Sequence, residues 1–389
     1  MEAKEAMPDP FPEITGLLGF GCMRLPMAGR QVDLPLFTEM VDLYMASSLR
    51  YFDTAHGYLN GQSETALRQA LAKRYDRGSF VLANKLTANF FSKPEDIRPL
   101  FEKQLESCGV DYFDFYLMHA QDAANYEKYR RCGAYRTALK LREEGKIRHF
   151  GISFHDKAAV LDRILTDWPQ IEAVQMQLNY LDEYDASVES RKVYEVCEKH
   201  AKPVFVMEPV KGGSLVRLPP EAQAPLTALN ERRGVQESNA SYALRFAAGF
   251  PLVRLVLSGM SDPAQVRQNI AALSPFRPLD EEEREAIDQV RQAFARQRMI
   301  PCTGCRYCVE ENHCPRDLLI PELFSCMNQK QVFHNWNQDF YYQNALTRNH
   351  GKASDCVQCG RCEAVCPQHL PIRDLLREVA AAFERRKRK

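Results

Sequence analysis

Phe52-Asp53-Thr54-Ala55-His56-Gly57-Tyr58 is the stretch that decides the fold. It closes a short apolar run at 50–53 and sets a carboxylate and a phenol at its end. Two later apolar runs finish in the same way. Ala83-Asn84-Lys85-Leu86 ends the run at 80–84, and Tyr116-Leu117-Met118-His119-Ala120 ends the run at 113–118. Asp53, Lys85 and His119 are 32 and 34 residues apart, about one strand-plus-helix unit each. Polar groups at the ends of successive strands, one unit apart, are what a parallel barrel gathers around one mouth.

Outward from this stretch the same rhythm continues. Short apolar runs at 17–22, 147–152, 171–177, 203–207 and 252–258 complete a set of eight. They are nearly continuous in apolar residues, as expected of parallel strands covered by helices. Helical stretches lie between them. One at about 33–47 opens at Asp33 with Pro35 in its first turn. One at about 94–107 carries Ile97, Leu100, Phe101 and Leu105 on one face, and one at about 134–144 stops at Gly145. The pattern predicts an α/β chain with a (β/α)8 TIM barrel. The alternative is an open doubly wound sheet, but Gly16, Gly19 and Gly21 are not spaced as its phosphate fingerprint and no helix opens directly after them.

The 389 residues carry 51 basic and 51 acidic side chains. Zero net charge argues against a nucleic-acid binder. The one basic run, Arg385 to Lys389, reads as a solvated tail. There is no run of 18 apolar residues, as a membrane span would need, and no apolar signal core near the N-terminus. The expectation is a cytoplasmic chain without a membrane partner. Thirteen cysteines in such a chain indicate metal or redox chemistry rather than disulfides. Only Cys22, Cys108, Cys132 and Cys197 precede residue 300. The expected organisation is an N-terminal extension at 1–16, the barrel at 17–278, a connecting amphipathic helix at 279–298 that opens with Asp280, and a small cysteine-rich domain at 299–389 with a final helix at about 371–385.

The cysteines of that domain fall in two loops. The first holds Cys302, Cys305, Cys308 and Cys314, followed by Pro315. The second holds Cys356, Cys359, Cys362 and Cys366, followed by Pro367. The second matches the C-x2-C-x2-C-x3-C-P run of bacterial ferredoxins, whose last cysteine ligates the other cluster. By that logic Cys302, Cys305, Cys308 and Cys366 hold one [4Fe-4S] cluster, and Cys356, Cys359, Cys362 and Cys314 hold a second. The first loop departs from the pattern, with five residues before Cys314. The alternative, a pair of zinc sites, usually uses separated C-x2-C pairs. The long segment between the loops, with Phe333, Trp336, Phe340, Tyr341 and Tyr342, resembles an α-helical ferredoxin domain. Cys326, within it, reads as packing.

The barrel residues suit carbonyl reduction. A carbonyl that accepts hydride becomes an alkoxide and needs a proton. A phenol titrates near 10, and a neighbouring ammonium held by a carboxylate lowers that value. Tyr58, Lys85 and Asp53 supply these groups, and His119 can orient the carbonyl. Each has a plainer reading singly: a helix cap for Asp53, a solvated charge for Lys85, a core histidine for His119, a surface aromatic for Tyr58. Tyr126, Tyr129, Arg130, Arg131 and Tyr135 read as a solvated helix face, with a substrate wall as the alternative. His56 and His155 lie near strand ends.

On the motifs at 19–26, 52–58, 84–85, 118–119, 150–153, 174–180 and 258–261, residues 19–275 resemble the aldo/keto reductase family. The resemblance implies a (β/α)8 oxidoreductase that uses NADP or NAD, with the catalytic tetrad on Asp53, Tyr58, Lys85 and His119. It implies that Ser153 and Gln175 hold the nicotinamide carboxamide and that Lys211, Gly212 and Gly213 form the pyrophosphate loop. It places Gly259, Ser261, Arg267, Gln268 and Asn269 in the adenosine-phosphate segment. The chain departs from the family at Phe154, where asparagine is usual, at Met207, where an aromatic often stacks on the nicotinamide, and at Gln265, where arginine is common.

Barrel and extension together resemble the aldo/keto reductases with a C-terminal ferredoxin-like extension. Hydride carries two electrons and a cluster passes one, so direct exchange needs a flavin or a radical-stabilising substrate, and no flavin signature is present. Three readings follow. The chain interconverts a small-molecule carbonyl and alcohol, with clusters relaying electrons to a ferredoxin or other redox partner. Or it does so with structural clusters. Or it is an electron-transfer protein whose barrel is a binding scaffold.

Overall fold

Each of the eight apolar runs forms a strand: β1 (Leu18–Gly21), β2 (Tyr51–Asp53), β3 (Val81–Leu86), β4 (Phe113–Gln121), β5 (Ile147–Phe154), β6 (Ala173–Gln177), β7 (Val204–Met207) and β8 (Val253–Gly259). The computed structural model describes residues 9–185, 188–297, 299–310, 312, 314–333, 335 and 337–384. Residues 1–8, Trp336 and the basic run Arg385–Lys389 lie outside the described residues. All pairs among these eight strands are parallel, and β1 pairs with both β2 and β8, so the sheet closes and the open-sheet alternative falls. Register brings Gly21 beside Asp53, Ser153 beside Gln175, and Gln177 beside Met207.

The helices begin and end where local chemistry allows. Asp33 caps the helix Leu34–Ala46 by accepting the N–H of Leu36 at 3.1 Å. Gly145, at φ +70°, takes the left-handed position just past the helix Ala134–Glu143. Residues 123–143 differ from expectation. Tyr126, Tyr129 and Tyr135 are fully buried. Tyr126 donates to Asp167, Tyr129 to the Leu86 carbonyl, and Tyr135 to Gln121 Oε1 at 2.8 Å. They form neither a solvated face nor a substrate wall, because each hydroxyl finds an acceptor inside the fold.

Packing divides the described residues into two compact units. The first comprises the segments up to Gln177, Lys192–Met207 and Ala247–Arg277, and contains the whole barrel. Phe11 fills the barrel interior, edge-on to Phe115 at 5.0 Å and Phe205 at 5.6 Å, among Tyr51 and Val81. Tyr51 and Val81 open their strands, so Phe11 plugs the end opposite Asp53 and Lys85.

The second unit comprises Leu178–Arg191, Glu208–Phe246 and the segment from Pro278 onward. Its helices Pro220–Arg233 and Glu281–Ala295 share a core with Leu226, Leu229, Ile287 and Val290. Asp280 and Glu283 form a capping box at the start of the latter. A second core joins the helices Ile320–Gln331 and Ile372–Phe383 through Phe324, Leu376 and Val379, and Cys302, Cys314, Cys356, Cys362 and Cys366 pack against it. Cys326 is buried in that core. Among the described residues no helix is long and apolar enough to cross a membrane.

Phe11→Ala should lower unfolding free energy by about 3–5 kcal/mol, the usual cost of emptying a buried phenylalanine site. Urea titration followed by tryptophan fluorescence measures it.

Candidate active site and cluster cysteines

Asp53 ends β2, and Lys85 lies one residue from the end of β3. Both are buried. The Lys85 ammonium donates to Asp53 Oδ1 at 2.5 Å, to the Thr54 carbonyl at 2.8 Å and to Tyr58 Oη at 3.3 Å. A buried ammonium is tolerable only with such compensation. Burial pushes the Asp53 carboxyl up and the Lys85 ammonium down, and the charge of each opposes the other's shift. Beneath them, Gln104 Nε2 donates to Asn84 Oδ1 at 3.0 Å and to the Lys85 carbonyl at 2.9 Å, while Asn84 Nδ2 donates to Glu64 Oε1 at 2.9 Å. This network fixes the strand that carries Lys85.

Tyr58 stands in the loop after β2, its ring edge-on to that of His119 with centroids 5.8 Å apart. His119 lies on β4, and its Nδ1 shares a 2.7 Å hydrogen bond with the Thr87 hydroxyl. Burial, then the positive charge of Lys85 and that of His155, holds its imidazole well below the ordinary range. The four residues of the expected tetrad therefore meet at one place. Thr87 was not anticipated. A threonine two residues after Lys85 carries no signal until β3 and β4 are paired. His56 is also fixed, with Nδ1 2.9 Å from Glu64 Oε2.

Ser153 and Gln175 adjoin the tetrad. Ser153 Oγ accepts the N–H of Ala120 at 2.8 Å, and Gln175 Nε2 donates to Asp53 Oδ2 at 3.3 Å. The other amide atom of Gln175, Oε1, is buried without a hydrogen-bond partner among the described residues. A buried unpaired acceptor calls for a donor, and the amide N–H2 of a carboxamide is one. Met207 ends β7, half-buried. Gly259 at the end of β8 and, after it, Ser261, Arg267 and Gln268 are exposed. Asn269 is buried and donates to Ser258 Oγ at 2.9 Å. Arg267 approaches Glu39 only at 3.9 Å. The stem of Arg24 lies against Gly259, a neighbour the sequence did not reveal.

Lys211, Gly212 and Gly213 belong to the second unit. Lys211 is buried and paired with Asp182, which also accepts Asn179 Nδ2 at 2.7 Å. Gly212 has φ +62°, and a Cβ there would stand 2.2 Å from the Thr303 carbonyl oxygen. The first cysteine loop thus runs directly over Gly212, and only glycine fits.

Cysteines of both loops lie near one another within the second unit. Burial pushes the thiols of Cys308 and Cys305 up; Cys302 and Cys366 add to the rise at both, and Cys305 and Cys362 add to it at Cys308. Burial pushes the Cys366 thiol up, and the backbone N–H groups of Leu370, Gln368 and His369 oppose that rise. A cavity is lined by Cys308, Cys314, Cys356, Cys359 and Cys362. Among the described residues no three of His, Cys, Asp or Glu converge as a single-ion site requires. The thiols surround a space, as ligands of a multi-iron cluster do.

Comparison with known proteins agrees with this geometry. The family model of the aldo/keto reductase family matches residues 17–292, and that of the 4Fe-4S dicluster domain matches residues 301–371. An uncharacterized oxidoreductase of Bacillus subtilis, YqkF, is 24% identical over 300 residues, covering 69% of this chain and 90% of the relative. The NADH-specific methylglyoxal reductase of Escherichia coli is 24% identical over 266 residues, covering 58% and 79%. Among solved structures, an aldo/keto reductase from Klebsiella pneumoniae in complex with NADP and acetate superposes with a TM-score of 0.58 at 22% identity, covering 71% of this chain and 91% of that one. The holo form of an aldo-keto reductase from Bacillus halodurans gives 0.56 at 26% identity, covering 70% and 91%. A barrel matched along its whole length, followed by a matched dicluster segment, places the chain in the aldo/keto reductase family as an oxidoreductase with an iron-sulfur domain after the barrel in sequence.

Proposed function

We propose that the barrel interconverts a carbonyl and an alcohol with NADP or NAD, using Asp53, Tyr58, Lys85 and His119. The observation that carries this reading is the buried Lys85 ammonium, bound to Asp53 on one side and 3.3 Å from the Tyr58 hydroxyl on the other. A bound nicotinamide supplies the hydride. The chain's own residues handle the proton and the substrate oxygen. Tyr58 Oη gives its proton to the developing alkoxide, and the Lys85 charge favours the phenolate left behind. Asp53 keeps the lysine charged and in place. His119, neutral and tethered by Thr87, directs its other ring nitrogen to the substrate oxygen.

The unpaired Gln175 oxygen and the Ser153 hydroxyl are the carboxamide contacts, and Met207 packs a polarizable thioether against the ring. Lys211, Gly212 and Gly213 with Gly259, Ser261, Arg267, Gln268 and Asn269 complete the cofactor contacts. With Arg267 exposed and weakly paired, both dinucleotides remain candidates. Cys302, Cys305, Cys308 and Cys366 hold one [4Fe-4S] cluster. Cys314, Cys356, Cys359 and Cys362, around the cavity, hold the other. By sequence, residues 17–278 are assigned to the barrel and 299–389 to the cluster region, whereas packing groups Leu178–Arg191 and Glu208–Phe246 with the latter. The clusters relay electrons to a redox partner. The exposure of Cys359, alone among the eight cysteines, favours this over a purely structural role.

Tyr58→Phe should cut carbonyl turnover by at least about a hundredfold with dinucleotide affinity unchanged. Full turnover in that variant would remove the tetrad assignment. Anaerobic preparations should contain eight irons per chain, as two cubanes require. Cys314→Ala should lose the cluster facing the cavity, whereas Cys326→Ala should keep all the iron. His119 supplies a pH test. Its folded pKa is depressed, so the unfolded chain binds a proton that the folded chain does not. Stability from this group is present above about pH 6.5 and is lost as pH falls below it. Relative to His119→Gln, the wild type should therefore lose unfolding free energy between about pH 7.5 and 5.5, and a parallel decline in both proteins would refute a neutral His119.

A further inference from the structure

We infer that the crossing of Thr303 over Gly212 couples dinucleotide binding to the oxidation state of the first cluster, so that dinucleotide phosphates and an added electron oppose each other. The first cluster is the one assigned to Cys302, Cys305, Cys308 and Cys366. The inference rests on that assignment and on Lys211–Gly213 as the pyrophosphate loop. Thr303 is buried, and a Cβ on Gly212 would stand 2.2 Å from its carbonyl oxygen and 2.7 Å from its Cα. Adding one bond of about 1.5 Å and one Cα–Cα step of about 3.8 Å puts the Cα atoms of Gly212 and Cys302 within about 8 Å of each other.

Both sides of the crossing are fixed. Ile300 exchanges two hydrogen bonds of 2.8 Å with Asn328, on the helix Ile320–Gln331, and the Cys302 N–H donates to the Ile300 carbonyl at 2.9 Å. On the other side Lys211 is buried against Asp182. The Glu208 carbonyl accepts Asn179 Nδ2 at 3.0 Å and the Lys211 N–H at 3.0 Å. Glu208 and Lys211 stand at φ +55° and +47°, where residues other than glycine are uncommon. Contacts rather than local preference therefore hold this turn. The two segments also sense each other's charge: burial raises the Cys305 thiol, and Cys302, Cys366 and Glu208 add to the rise.

A pyrophosphate is anionic, and reduction gives the cluster one further negative charge. Two unit charges about 10 Å apart inside a protein change an equilibrium constant by about tenfold. Linkage makes the effect reciprocal. Reduction of the first cluster weakens dinucleotide binding, and bound dinucleotide lowers the cluster's reduction potential by the same factor. The electron comes from a one-electron donor, and no bond or proton changes place.

The test uses the full-length holoprotein under anaerobic conditions. ADP-ribose and 2′-phospho-ADP-ribose are the probes, because they carry the pyrophosphate but no nicotinamide and accept no hydride. Cys314→Ala, which should keep the first cluster alone, assigns its electron paramagnetic resonance signal. In wild type, saturating probe should lower the midpoint potential of that signal by about 59 mV, the one-electron equivalent of tenfold. Calorimetry should find the probe bound about tenfold more weakly after reduction. The second cluster should shift less, and adenosine, without phosphate, should shift neither. Gly212→Ala, with no space beside Thr303, should separate the loops and remove most of the shift. If that variant does not fold, the two wild-type measurements decide. A bound probe that leaves the first cluster's potential unchanged would overturn the coupling. Failure of both probes to bind oxidised holoprotein would overturn it through the loop assignment. Wild-type protein lacking the first cluster would overturn it through the cluster assignment.

Discussion

The Lys85 ammonium is enclosed within the barrel, and the chemistry around it follows from satisfying its charge. A cation removed from water must recover its solvation from fixed partners. Here they are the Asp53 carboxylate, the Thr54 carbonyl and the Tyr58 hydroxyl. Each comes from β2 or the loop after it, so the β2–β3 register decides whether they meet. Asp53 pairs with Ala83, two residues before Lys85, and a slip of one residue would turn the lysine to the opposite face. The same charge reaches further. It helps hold His119 neutral, and Asp53 in turn binds Gln175. Phe11 plugs the other end of the barrel, packed edge-on to Phe115, His149 and Phe205.

The second unit is organised by a different constraint. Its C-terminal core draws on the helices Ile320–Gln331 and Ile372–Phe383, with cysteine side chains packed against their inner faces. A region this small gains much of its order from what its ligands hold. The close approach of Thr303 to Gly212 ties the first cysteine loop to Lys211–Gly213, and Lys211 is itself held by Asp182. Within this unit, then, the cluster loop and the segment that follows β7 share one rigid contact.

Much of the site was legible because its signals are local. Asp53, Lys85 and His119 are marked by apolar runs and by their spacing, and the cysteine loops by triplets three residues apart. Helix limits followed Asp33, Gly145 and Asp280, whose capping chemistry acts within one turn. The tyrosines at 126, 129 and 135 misled for the converse reason. Charged neighbours such as Glu127, Lys128 and Arg130 suggest a solvated face, but the hydroxyls are satisfied by Asp167, Leu86 and Gln121, at distances that no local pattern encodes.

The sequence by itself determined the barrel, the candidate tetrad and the two cysteine loops, since periodicity and spacing dictate which side chains emerge at strand ends and which thiols share a turn. Only the tertiary structure decided which of these groups are partners. It joined Thr87 to His119 across 32 residues and Gln175 to Asp53 across 122. It also left the Gln175 oxygen unpaired among the described residues and Cys359 exposed. Hydrogen-bond satisfaction and exposure are properties of the packed chain, set by neighbours remote in sequence, and they have no value until the barrel closes.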